Sequence, residues 1–282
     1  TVDRAVSVDA TNGATTPAFS TAGAGELLLA FVAADGPSGS QTATVSGAGL
    51  SWTLVRRANS RPGTSEIWQA RAASQLTNVT VTSTLSSTGF HQSLTVVSYR
   101  NASVGASSSA GAASGAPTVP ITTTRPTALV YGVGNDWDQA IGRGTAVGQT
   151  LVHQWVDTSV GDTFWVQGLT DAVVSAGTAV QVADNSPTVD QWNLAAVEIV
   201  PTIAISNVLV SNRTSSSVAV TWTTGLPAAS RVEYGVTASY GSVATDSALV
   251  TTHQLALAGL QPLTTYHYKI TSLDGTGQGP ST

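Results

Sequence analysis

Residues 26–36 read ELLLAFVAADG, and residues 127–137 read TALVYGVGNDW. Both are apolar, strand-like runs that stop at an acidic or amide turn. The first holds an unbroken hydrophobic run only over 27–34, far short of the ~20 residues a membrane-spanning helix needs, so it reads as a buried strand. The two stretches lie 101 residues apart, and the segments around them repeat in the same order. TLVRRAN (53–59) returns as TLVHQWV (150–156), and SEIWQARAA (65–73) as DTFWVQGLT (162–170), both 97 residues on. SLTVVSYR (93–100) returns as NLAAVEIV (193–200), 100 residues on. Residues 1–200 therefore read as two copies, 1–101 and 102–200, of one unit of five or six strands. Neither copy alone has a partner for its apolar face. The two are expected to close on each other as one sandwich with approximate two-fold symmetry.

Working outward, short runs rich in Val, Thr, Leu and aromatics recur along the chain, broken by Gly, Pro, Asn, Asp and Ser, and helical periodicity is nearly absent. The expected class is all-β, with an internally duplicated, jelly-roll-like antiparallel β-sandwich in front. The low-complexity stretch ASVGASSSAGAASGAPT (102–118) is either a linker or the poorly patterned first strand of the second copy, matching residues 6–10.

The bulk numbers bound the function. The 282 residues suggest about two domains, and 41% hydrophobic content is enough for real cores. The formal net charge is −5, with Lys269 the single lysine, so no basic patch points to nucleic acid and no cationic amphipathic face to a membrane. The absence of cysteine excludes thiolate metal sites, disulfides and a thiol nucleophile. There is no methionine, even at position 1, and no leader peptide is visible. With the Ser/Thr/Gly/Ala-rich, lysine-poor composition, these features suggest a mature secreted chain.

After Pro201 the pattern changes. Trp222 on a second strand is followed by Leu260, Pro262, Thr264 and Tyr266, then by Tyr268 and Ile270. Over 201–282 this resembles a fibronectin type III module. The resemblance implies that Trp222 fills the core and that a corner tyrosine bonds back to the backbone near the leucine turn. The last strand of such a module should follow the turn at Asp274 and Gly275, yet only TGQGPST (276–282) remains. Two readings stay open: the protein continues past Thr282, or a second copy supplies a strand to the edge over 266–272, from Tyr266 to Ser272, for instance through TVDRAVSVD (1–9). Residues 1–200 in turn resemble a β-sandwich repeat of large bacterial secreted proteins, carried by ELLLAFVAADG, the Trp52-Thr53-Leu54 run and the closing AAVEIV strand. That resemblance implies an extracellular, modular, non-catalytic part.

No nucleophile elbow, zinc-protease helix or phosphate-loop lysine motif occurs. GRGTAVG (142–148) precedes a strand rather than a helix and reads as a hairpin loop. Glu66 and Glu198 are the carboxylates to watch for a facing pair, and the four histidines are isolated in sequence. The repeat sorts the tryptophans. Trp68 and Trp165 align between copies and are expected in the core, whereas Trp137 aligns with Gly36, Trp155 with Ala58 and Trp192 with Gln92. Rings without a symmetric packing reason are either lids or a sugar-stacking platform, with Asn135, Asp136 and Asp138 as the polar partners. Asp136 and Asp138 also suit a hard cation such as Ca²⁺, or else an Asx turn. Asn78, Asn101 and Asn212 carry N-x-S/T sequons. The chain is thus expected to be a non-catalytic extracellular binding or adhesion part, with polysaccharide or surface glycan as ligand. The alternatives are a structural subunit of a cell-surface filament and the accessory region of a larger secreted hydrolase.

Overall fold

The computed structural model describes residues 1–38, 41–275 and 279. All regular structure among them is β, and no helix is long and apolar enough to cross a membrane. The chain forms two compact units, Thr1–Pro201 and Thr202–Thr282.

The first repeat contributes β1 (Val2–Thr11), β2 (Gly13–Thr15), β3 (Glu26–Ser38), β4 (Ala43–Gly47), β5 (Thr53–Ala58), β6 (Pro62–Ala72), β7 (Val81–Leu85) and β8 (His91–Tyr99). The second contributes β9 (Ala102–Ala112), β10 (Thr118–Thr122), β11 (Leu129–Asp136), β12 (Gly144–Thr145), β13 (Gln149–Asp157), β14 (Asp162–Leu169), β15 (Ala179–Ser186) and β16 (Trp192–Pro201). Sheet order is β1-β8-β3-β6-β5 with β2-β7-β4 in the first repeat. It is β9-β16-β11-β14-β13 with β10-β15-β12 in the second, the same ladder moved on by eight strands. The first strand meets the last, the second the seventh and the third the sixth, which is the pairing of a jelly roll. Even a bulge recurs, between Leu54 and Arg56 and between Leu151 and His153. The low-complexity stretch supplies β9, paired with β16 as β1 is paired with β8.

The expectation of one sandwich made from two incomplete halves is corrected. Each repeat is already a two-sheet sandwich, and the two five-stranded sheets pack on each other as a third interface. Strand β3 shows why its sequence is apolar throughout. Leu28, Ala30, Val32 and Ala34 point into the first repeat's own core with Val45, Val81 and Leu94. Leu27, Leu29, Phe31 and Ala33 point the other way, onto Val133, Phe164, Val197 and Ile199 of the second repeat. A strand buried on both faces loses the period-two alternation that marks a half-buried one. Burying one such Leu or Phe contributes roughly 1.5–3 kcal/mol. A third cluster, with Val119, Val130, Trp165, Val182 and Leu194, fills the second sandwich.

In the second unit, β17 (Ile205–Ser211), β18 (Ser217–Gly235), β19 (Ser242–Ala258) and β20 (His267–Leu273) form one hydrogen-bonded four-stranded sheet, joined through the long strand β18. The first half of β18 pairs with β17 and the end of β19, and its second half with the start of β19 and with β20. Trp222 and Ile270 are buried between them. Among the described residues β20 pairs with β18 alone, and Gly279 stands close against the Ser272 carbonyl. The expected missing strand falls on 276–278 and 280–282, outside the described residues. Residues 1–9, the example donor strand, lie in and just before β1, which is hydrogen-bonded to β8 of the same chain from Val2 to Thr11.

Candidate functional site

The strand ladders correct the alignment of β3 with β11. Leu27 pairs with Tyr99, and Leu129 with Ile199, so the two strands correspond at an offset of 102 residues (27 to 129) rather than 101. Side chains alternate along a strand, so a one-residue slip turns every one over. With the slip removed, Trp137 stands opposite Asp35, and Asn135 opposite Ala33. Likewise Trp165 pairs with Gly134 as Glu66 pairs with Val32, so Trp165 occupies the place of Glu66 rather than that of Trp68.

The sequence candidates separate into three groups around the end of the first unit where β3 and β11 finish. Trp137 is 36% exposed and donates its backbone N–H to Gln191 (3.4 Å). Asp138 accepts from the Gln191 backbone (2.9 Å) and side chain (3.1 Å). Its own N–H is capped by Asp136 Oδ1 at 2.7 Å, an Asx turn. These two residues form a surface loop held on both sides.

The second group is buried. Trp192 is only 5% exposed and packs in the second repeat's core, so the platform role is corrected: it sits in register with Asp136, on the inward face. Asn135 points into the joint between the repeats. Its amide donates to Pro62 O (3.0 Å), and its carbonyl accepts from Ser65 (3.0 Å) and Asn193 (3.1 Å). Asp136 is buried and ion-paired with Arg143, so it is not an open cation ligand beside Asp138. Among the described residues no three of His, Asp or Glu come together in a metal-holding group. Arg143 also reaches Asp190 (3.5 Å) and lies 4.4 Å over the Trp165 ring. Burial lowers its pKa to about 10 although Asp184 and Asp190 pull it up. Burial raises Asp184 to about 7, against the pull of Arg143 and Gln167, and raises Asp190 as well.

The third group lies on the joint. Trp155 is half-buried, stacked on His91 (5.5 Å, 6°) and tilted against Phe164 (5.4 Å). His91 is hydrogen-bonded to Asp157. Burial pushes Asp157 up, but hydrogen bonds from Ser159 and His91 outweigh it and hold the carboxyl below its ordinary value. Next to this pair lie Asp35 and Asp162, and burial raises both carboxyls, Asp162 to about 8. Sequence reasoning missed His91, Asp35, Asp157, Asp162 and Arg143. Their pairings join strands from different repeats or loops, and no local pattern marks them.

Glu66 and Glu198 do not face each other across a cleft. Glu66 takes bonds from Arg57 (2.7 and 3.1 Å), Ala43, Thr64 and Trp68 inside the first repeat. Glu198 takes bonds from Ala106, Thr124 and Arg125 in the second.

In the second unit the Tyr266 hydroxyl accepts from the Gln261 N–H at 3.1 Å, closing the corner before β20. Trp222 is buried, donates to Ser272 (2.9 Å) and stacks on His253 (4.9 Å). Residues 203–282 match the family model for the fibronectin type III domain. The C-terminal unit is a fibronectin type III domain. Such domains are in general non-catalytic binding and adhesion modules of extracellular proteins. Among solved structures the chain is similar to the chicken CNTN1 FN1-FN3 domains, at 12% identity and a TM-score of 0.25, covering 100% of this chain and 96% of that one. No curated protein matches the chain. The fibronectin type III domain carries a cleft of about 490 Å³ lined by Arg213, Val218, Tyr234, Leu257, Leu260 and Tyr268.

Proposed function

We propose that the chain is a non-catalytic, extracellular binding part in which the doubled jelly roll takes a polysaccharide or surface glycan and the fibronectin type III domain acts as spacer. The observation that carries this reading is Trp137: a large indole at the surface, on a loop whose shape Asp136 and Gln191 fix, beside the exposed Asp138 carboxylate. An indole face stacks on the C–H face of a pyranose, and a carboxylate neighbour accepts from its hydroxyls. Holding the loop in advance reduces the ordering cost of binding. Trp155 is a secondary contact, since its ring already stacks on His91.

The test is affinity capture on a panel of insoluble and soluble polysaccharides. Trp137→Ala should bind about tenfold more weakly, equivalent to about 1.4 kcal/mol, with unchanged thermal unfolding. Wild-type retention on none of the polysaccharides, or equal retention of the variant, overturns the reading. A second reading, self-association through the edge of β20, is favoured by its pairing on one side only among the described residues. Light scattering decides it: a monomer at all concentrations excludes it.

A further inference from the structure

Trp137 and Asp138 stand side by side on the loop after β11, and both are exposed. The backbone there is fixed from two directions. The Trp137 N–H reaches Gln191 O (3.4 Å), and the Asp138 N–H is capped by Asp136 Oδ1 (2.7 Å). The Asp138 carboxylate is held as well. Its Oδ2 accepts from the Gln191 N–H (2.9 Å) and its Oδ1 from the Gln191 side-chain amide (3.1 Å). A carboxylate oxygen has about two acceptor sites, so each oxygen can take one bond more.

No neighbouring cation neutralises this carboxylate. Among the described residues no Arg, Lys or His forms an ion pair with Asp138. Arg143 is sealed, with its side chain 0% exposed, and is committed to Asp136 and Asp190. Arg125 precedes β11 and lies at the far end of that strand. Arg61 comes to this end from the first repeat, where its backbone N–H bonds Asn193 Oδ1 (3.0 Å) and its Nε is buried. The wider charge balance has the same sign. Residues 102–200 carry eight Asp and Glu against two Arg, whereas residues 1–101 carry five against six. An indole face attracts a cation through its ring quadrupole, and a fixed carboxylate beside it attracts the same cation through its charge. A neutral sugar gains only the stacking, and a uronate is repelled.

We propose that the Trp137 site selects amino sugars: its ligand is a polysaccharide with free, protonated amines, and Asp138 is the residue that sets the preference. The inference rests on the glycan reading of Trp137 given above and names the class of glycan. An exposed cation–ring contact and an exposed ion pair together are worth roughly tenfold in affinity. Because Gln191 already orients the carboxylate, binding does not have to order it.

The experiment uses the full chain and titration calorimetry at mildly acidic pH, where the amines are charged. The probes are glucosamine oligomers, fully N-acetylated oligomers of the same length, and uronic-acid oligomers. Wild type should bind the free amine about tenfold more tightly than its acetylated twin and the uronate least. The preference should shrink to about twofold in 1 M salt, where screening acts within ~3 Å. Asp138→Asn should cut it to about threefold or less while binding of the acetylated oligomer is kept; the Gln191 amide can turn over to meet the new N–H. Asp171→Asn is the control for general charge, since Asp171 is exposed and follows the opposite end of β14 from Asp162. It should leave the preference intact. Equal binding of amine and acetylated oligomers, tighter binding of the uronate, or an equal loss of preference in Asp171→Asn overturns the proposal. Each of these leaves the glycan reading standing as long as any oligomer is held through Trp137. Retention of none overturns both. If Asp138→Asn does not fold, the wild-type preference, its salt dependence and the Asp171→Asn control decide.

Discussion

Replacing Arg143 by Met tests how the second repeat tolerates charge in its core. The guanidinium is buried, ion-paired with Asp136 and Asp190, opposed to Asp184 and stacked on Trp165. Several atoms here have no hydrogen-bond partner: Arg143 Nε and Nη1, and Asp190 Oδ1. Removing the one cation leaves three buried carboxyls without a counter-charge. Breaking a buried ion pair in this way costs about 3–5 kcal/mol, and the lost cation–ring contact adds up to about 2 kcal/mol when desolvated. Because neighbouring carboxyls neutralise themselves by protonation, the net loss at pH 7 is expected at the lower end, about 3–4 kcal/mol.

The pH dependence discriminates this account from simple loss of packing. Asp184 is held up at about 7 from an ordinary 3.8. A carboxyl raised in the folded state is protonated there while its unfolded counterpart is ionised, so wild-type stability falls as pH rises from about 4 to about 7. At about 1.4 kcal/mol per unit, this group alone sets a drop of about 4 kcal/mol. Without Arg143 the carboxyls rise further, and the falling window extends above pH 7. The assay is urea unfolding followed by tryptophan fluorescence, which reports the first unit because Trp222 alone of the seven tryptophans lies outside it. A cost below about 1 kcal/mol, or a loss equal at pH 5 and pH 8, refutes the electrostatic reading.

Two further outcomes concern the fibronectin type III domain. Leu263 has φ of 57° and is 109% exposed, so Leu263→Gly removes left-handed strain and no contact; a gain of about 0.5–1 kcal/mol is expected by calorimetry, and a loss refutes it. His253 is buried between Thr224 and Ser230, each at 2.8 Å, and burial lowers its pKa. It stays neutral in the fold while the unfolded chain takes up a proton below about pH 6.5, so this domain should lose stability on acidification; a transition equal at pH 7 and pH 5 argues against it.

The strand content and the doubling were legible because long, fully apolar strands repeat: ELLLAFVAADG and NLAAVEIV need no tertiary information to be read as buried. The short strands β2, β4, β10 and β12 were not. They are brief and rich in Gly, Thr and Ala, so the repeat looked incomplete and its inner core was assigned to the joint. GRGTAVG, read as a hairpin loop, contains β12, and the Arg143 just before it points into the core. Trp137 and Trp192 look alike in sequence, since each is an unmatched ring with an acidic residue within two positions. What separates them is whether the residue lies on or past the end of a strand. Trp192 opens β16 on its inward face, and Trp137 follows the last residue of β11. Pairings such as His91 with Asp157 join positions far apart in the chain, with no periodicity to announce them.

The divergence of the two repeats is concentrated at one end, and its parts are mechanically linked. In the first repeat the buried carboxylate Glu66 is saturated by a bidentate arginine, a backbone N–H, a hydroxyl and an indole N–H. At the equivalent place the second repeat has Trp165, and the charge has moved to Arg143 above the ring. Arg143 holds Asp136, and Asp136 caps the N–H of Asp138, so the exposed loop with Trp137 inherits its shape from a buried ion pair. Arg143→Met should therefore weaken any ligand that needs Trp137 even where the variant remains folded, although Arg143 is itself sealed from solvent. A variant still folded in mild conditions that binds as well as wild type would show that the loop keeps its shape through Gln191 alone, and would break this link between the core and the surface.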